Sequence, residues 1–136
     1  MFRTINSRLH YIFQIPKYSK LDSNFEIFQL KEGENDDCHY DNYVNENPKS
    51  YFRFITSHSI IKSANEGGNF IFCKPENEIL YEIKMEEGDT IFWYNLIPTH
   101  NSNSNAQMDE MSSYQLSPVL SGKLLTLRKF IHNKYE

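Results

Sequence analysis

Apolar residues recur along the chain at two spacings, and the change between them divides the sequence. Over residues 2–13, Ile5, Leu9, Ile12 and Phe13 fall one helical turn apart, which predicts a single helix. Pro16 ends it, since proline donates no backbone hydrogen bond and restricts its predecessor. Beyond the polar stretch 17–24, short runs rich in aromatic and β-branched residues predict strands over 25–30, 52–61, 69–73, 79–84, 90–96 and 123–132. A charged turn around Gly33 (31–37), a polar segment with Pro48 (42–49), turns at 64–68 and 86–89, and an Asn/Ser-rich loop (97–113) separate them. One helix followed by many short strands predicts a mainly β sandwich or barrel, with the helix packed on one sheet.

Composition narrows this. A length of 136 residues suits one domain spanning 1–136, or a fragment of a longer family member. The net charge of -4 and pI near 5.7 leave no electrostatic footprint for nucleic acid. No apolar run approaches the ~20 residues of a membrane span. The first residues lack the apolar core of a signal peptide, which favours a cytoplasmic protein unless a targeting segment lies elsewhere. Cys38 and Cys73 are too few for a disulfide framework or a zinc cluster, and two free thiols are expected.

The candidate chemistry begins at His39-Tyr40-Asp41. On a strand, residues i and i+2 share a face, so an imidazole and a carboxylate can meet one metal ion. Two histidines and one carboxylate on one face of ferrous iron leave positions open for a co-substrate and O₂. The pair alone also fits a surface ion pair.

Its surroundings add a pattern. Arg8 on the first helix and Gly33 precede the pair. Arg53-Phe54-Ile55-Thr56, Gly67-Gly68-Asn69-Phe70-Ile71-Phe72 and Gly88-Asp89-Thr90-Ile91-Phe92-Trp93-Tyr94-Asn95-Leu96 follow, then Pro118-Val119-Leu120, Gly122 and Lys129-Phe130-Ile131-His132. This order, over nearly the whole chain, resembles the oxygenase domain of the prolyl 4-hydroxylase alpha-subunit family. The resemblance implies a double-stranded β-helix of the jelly-roll or cupin type. It implies an iron(II)- and 2-oxoglutarate-dependent dioxygenase that hydroxylates peptidyl proline, with L-ascorbate keeping the iron ferrous. It also implies a collagen-like or proline-rich peptide substrate, protein disulfide isomerase as partner, and the endoplasmic reticulum lumen as compartment.

Carried over by residue, the metal positions are His39, Asp41 and Tyr114, the last standing where the family has its distal histidine. The lysine that pairs with 2-oxoglutarate falls on Leu124. A phenol with its pKa near 10 is a poor ligand for ferrous iron, and leucine cannot anchor a carboxylate. His58 and His100 are alternative third ligands, His58 being expected as a packed or rim histidine. Lys123 is expected on the opposite face of the last strand, and Arg128 on the face of Leu124 as a surface or rim arginine. His132 matches a family histidine that does not bind iron. The acidic residues Glu32, Glu34, Asp36 and Asp37 are expected as a solvated turn, and near the site they would repel a dicarboxylate. Two readings follow: a hydroxylase, or a catalytically weak or inactive domain of the same fold acting as a binding or structural module. An unrelated β-rich binding domain is the third.

Overall fold

The computed structural model describes residues 11–12, 20–21, 25–41, 52–74, 78–97 and 107–133. Two antiparallel sheets form the body. The larger contains β1 (Lys20–Leu21), β2 (Glu26–Lys31), β4 (Phe52–Lys62), β8 (Thr90–Tyr94) and β13 (Lys123–Asn133). The smaller runs in the order β3 (Asp36–His39), β11 (Tyr114–Leu116), β6 (Phe70–Lys74), β7 (Glu78–Ile83). Two short ribbons join β5 (Glu66–Gly67) to β12 (Val119–Ser121) and β9 (Leu96–Ile97) to β10 (Gln107–Met108).

Alternation decides which residues face inward. In β8, Thr90, Phe92 and Tyr94 are exposed while Trp93 is buried and Ile91 half-buried. The inner faces meet in one core: Leu30, Ile60, Trp93 and Leu124 from the larger sheet pack on Phe70, Tyr114 and Leu116 from the smaller, with Val119. Residues directly opposite on neighbouring strands share a face. The register therefore lays two inward rungs across the larger sheet, Phe130–Thr56–Trp93 and Glu26–Arg128–His58–Ile91. The expected glycine turn also has a physical cause. Gly67 adopts φ 77, and a Cβ there would lie 2.0 Å from the Pro118 carbonyl oxygen, so only glycine lets β5 approach β12.

The mainly β architecture matches expectation, and several details differ. The helix expected over 2–13 lies outside the described residues except for Tyr11 and Ile12, which have helical backbone. The strand expected over 90–96 breaks at Asn95, where a bend separates β8 from β9. The described part of the expected 97–113 loop contains β10 and a 3₁₀ turn at Glu110–Ser112, which Asp109 caps by accepting from the Met111 N–H. The expected charged turn stops short: Glu32 and Gly33 turn, and β3 begins at Asp36.

The free-thiol expectation is overturned. Cys38 and Cys73 form a disulfide, 35 residues apart in sequence. Both their strands pair with β11, which begins only at Tyr114, and beside that end the two strands approach to a Cα–Cα distance of 6.4 Å. That spacing suits a disulfide. Sequence spacing carries no sign of it, because the pairing is set by sheet order.

Candidate functional site

Asp41 is the centre of the candidate site. It sits in a bend just past the end of β3 rather than on a regular strand, and only 2% of it is exposed. The bend still turns it toward its partner: His39 Nε2 lies 3.6 Å from Asp41 Oδ1. His39 Nδ1 is 2.7 Å from the Asp37 carbonyl oxygen, to which it donates. That bond orients the ring with Nε2 toward Asp41, as a metal-binding histidine is usually oriented by its second nitrogen.

Two hydrogen-bond chains end on the Asp41 carboxylate. In the first, Asn95 Nδ2 donates to Thr56 Oγ1 at 2.8 Å, and Thr56 Oγ1 donates to Asp41 Oδ2 at 2.8 Å. Arg53 Nη1 adds a bond to the Asp41 carbonyl oxygen at 3.1 Å. The two motifs singled out in the sequence, Arg53–Thr56 and Gly88–Leu96, thus converge on one residue, Asp41. In the second chain, Tyr114 OH donates to Asp41 Oδ1 at 3.4 Å and lies 3.4 Å from His58 Nε2, while His58 Nδ1 is 3.0 Å from Thr126 Oγ1. A single proton order satisfies every link: Thr126 donates to Nδ1, Nε2–H donates to Tyr114, and Tyr114 donates to Asp41.

The electrostatics follow from burial and these bonds. Burial works against ionising Asp41, but the close approach of His39, the hydrogen bond from Thr56 and the nearby Arg128 outweigh it and hold the carboxyl below its usual range. The Asp41 carboxylate 3.6 Å away lifts His39 above the ordinary histidine value, against the effect of its burial. Burial drives His58 down to about 3, so it is neutral at physiological pH. Burial, and then the Asp41 charge, push the Tyr114 phenol far above its normal value.

Whether iron fits can be judged from these donors. His39 and Asp41, expected as two of the metal ligands, lie side by side. Tyr114, expected at the third position by resemblance, is fully buried, protonated and hydrogen-bonded to the Asp41 carboxylate. His58 cannot replace it, since its Nε2 meets Tyr114 and its Nδ1 meets Thr126. His100 lies outside the described residues. Among the described residues, no group of three or more His, Cys, Asp or Glu side chains is placed to hold a metal ion. Leu124 is 2% exposed and packs in the core, where its burial contributes roughly 1.5–3 kcal/mol and offers a dicarboxylate nothing. Lys123 is exposed, as expected for the opposite face. The residues present fit neither ferrous iron nor the co-substrate anchor.

Arg128 departs from the rim position that the sequence suggests and enters the site. Its Nε and Nη2 donate to Glu26 Oε2 at 3.1 and 2.7 Å, and Nη1 lies 4.0 Å from Asp41 Oδ1. Its guanidinium also lies over the Phe130 and Phe28 rings, at 5.1 and 5.4 Å from their centroids. The reach is sideways along the rung rather than back along the strand, and only the register reveals it. The acidic turn residues stay mostly local: Glu34 accepts from the Lys31 N–H, and Asp37 from Asn35.

The fold is mainly β, two facing antiparallel sheets with His-X-Asp at the end of a strand of the smaller one. No family model matches the chain. It is 27% identical over 124 residues to prolyl 4-hydroxylase 13 of Arabidopsis thaliana, covering 82% of this chain and 43% of that protein. The chain therefore spans less than half the length of this curated relative. Two crystal structures of the viral collagen prolyl hydroxylase of Paramecium bursaria Chlorella virus-1, one a 2OG complex and one truncated, superpose with a TM-score of 0.75 at 20% identity. They cover 98% of this chain and 70% and 66% of those chains. In sequence pattern this chain is similar to a prolyl 4-hydroxylase, and in fold to a viral collagen prolyl hydroxylase.

Proposed function

We propose that residues 1–136 form a single prolyl 4-hydroxylase-like domain that acts as a binding or structural module without iron- and 2-oxoglutarate-dependent turnover. One observation carries this: the Tyr114 hydroxyl, at the position that the resemblance assigns to a third iron ligand, is buried and donates to Asp41. Leu124 in the core supports it, since a buried carboxylate without a cationic partner is costly to hold. The ligand class is a proline-rich or collagen-like peptide, supported by the names of the relative and of the structural neighbours. The Trp93 indole N–H is buried without a partner among the described residues and is a donor that a bound acceptor would satisfy. The Cys38–Cys73 disulfide favours an oxidising compartment such as the endoplasmic reticulum lumen. Protein disulfide isomerase as partner rests on the family resemblance.

The second reading is hydroxylation of peptidyl proline with iron, 2-oxoglutarate and ascorbate, at His39, Asp41 and Tyr114. The surviving His39–Asp41 half-site favours it. Succinate release from 2-oxoglutarate decides between them, measured with saturating ferrous iron, ascorbate and a Pro-Pro-Gly repeat peptide. No peptide-dependent succinate is expected. Succinate formed in step with hydroxyproline would overturn the non-catalytic reading.

A further inference from the structure

The half-site poses a charge problem that the proposed function leaves open. The Asp41 carboxyl is buried, the half-exposed Glu26 carboxylate stands beside the same arginine, and among the described residues no metal-binding set is placed to balance Asp41. Buried charges persist only when paired. Arg128 is the cation that meets both, and its position is built rather than incidental.

Three features fix it. It lies on β13 directly opposite Glu26 on β2, so the two side chains share the inner face. Its Nε and Nη2 both engage Glu26 Oε2, which sets the plane of the guanidinium. Phe28 and Phe130 then place their rings near it, limiting its swing. The remaining nitrogen, Nη1, is left 4.0 Å from Asp41 Oδ1, the oxygen that also faces His39 Nε2 and Tyr114 OH.

From this arrangement we infer that Arg128 is the site's resident cation: its guanidinium stands in for a metal ion, neutralising Asp41 and excluding divalent cations from the His39–Asp41 pair. The inference rests on the non-catalytic reading and gives it a cause. Without a third ligand, the pair would hold a metal only weakly. A fixed positive charge 4.0 Å from the carboxylate explains why the carboxylate survives without metal. Arg128 acts through Asp41 and is a positioning residue.

Nickel(II), which takes nitrogen and oxygen ligands and does not cycle its oxidation state here, is the probe. Thermal unfolding and nickel titration would be run on untagged wild type, Arg128→Gln, Arg128→Lys and the double variant Arg128→Gln/His39→Ala. Wild type and Arg128→Lys should show no nickel-dependent shift in Tm. Arg128→Gln should unfold at lower temperature, recover at least half of that loss with nickel, and bind nickel at least tenfold more tightly than wild type. The double variant should show no recovery, which separates this pair from the other histidines. Should Arg128→Gln fail to fold alone, its refolding with and without nickel settles the same question: recovery only with nickel is expected, and recovery with neither overturns the inference. A wild type stabilised by nickel as strongly as Arg128→Gln also overturns it. Nickel stabilisation of wild type without succinate release defeats this inference alone, whereas peptide-dependent succinate defeats the non-catalytic reading as well.

Discussion

Asp41 receives protons from two directions and gives none, so the ionisation of its neighbours sets how stability varies with pH. His39 has a folded pKa above its unfolded value of about 6.5, so its contribution is full below that pH and is lost as pH rises through the folded value. His58, depressed to about 3, works the other way: its contribution is full above about pH 6.5 and is lost as pH falls. That loss has a slope of up to about 1.4 kcal/mol per pH unit. Asp41, held low, contributes above about pH 4 and fails only as pH drops through its lower folded value. Urea midpoints measured from pH 4 to 9 should therefore peak near pH 6–7. His39→Gln should flatten the alkaline limb and leave the acid limb in place. A variant that keeps the wild-type fall above pH 7 would show that His39 does not set it. The sequence singles out His39, Asp41 and position 114 by their resemblance to a pattern, and it anticipates His58 as a packed histidine, which is fully buried. It names Arg128 but hides its partners, because Glu26 and Asp41 meet it only across the strands.

At the scale of elements, the long strands read well because their alternation is strong, as in β4, β8 and β13. The strand β11 does not, since three residues flanked by serines carry too little periodicity to separate it from a loop. Its role is still large: it brings Tyr114 opposite His39 on one side and Phe72 on the other. The disulfide braces this region, tying β3 to β6 across the open end of β11. Closing a loop over a sequence separation of 35 residues should stabilise the fold by roughly 3–4 kcal/mol. Dithiothreitol, or the double variant Cys38→Ser/Cys73→Ala, should lower the urea midpoint accordingly, and thiol titration of the denatured, unreduced protein should find neither cysteine free. An unchanged midpoint under reduction would mean that the sheet holds β3 without the bond.

For the whole molecule, the fold class is legible because many short aromatic strands admit few other arrangements. Sheet order is less so, because the strands that pair are distant in sequence: Glu26 and Arg128 are 102 residues apart. A domain whose charges are balanced from within needs no metal to fold. Excess EDTA should leave Tm unchanged to within about 1 °C, well under the roughly 4–8 °C expected per kcal/mol for a domain near 100 residues. A chelator-induced drop of several degrees would show a structural metal. The placement of β13 also bears on how the protein is made. This last described strand lies between β4 on one side and β1 and β2 on the other. Until residues 123–133 leave the ribosome, the larger sheet has no centre, and β2 and β4 present unpaired edges to the cell. Assembly must then come as one late event, so a holdase that shields strand edges during synthesis would raise the yield of folded protein more than one acting after release.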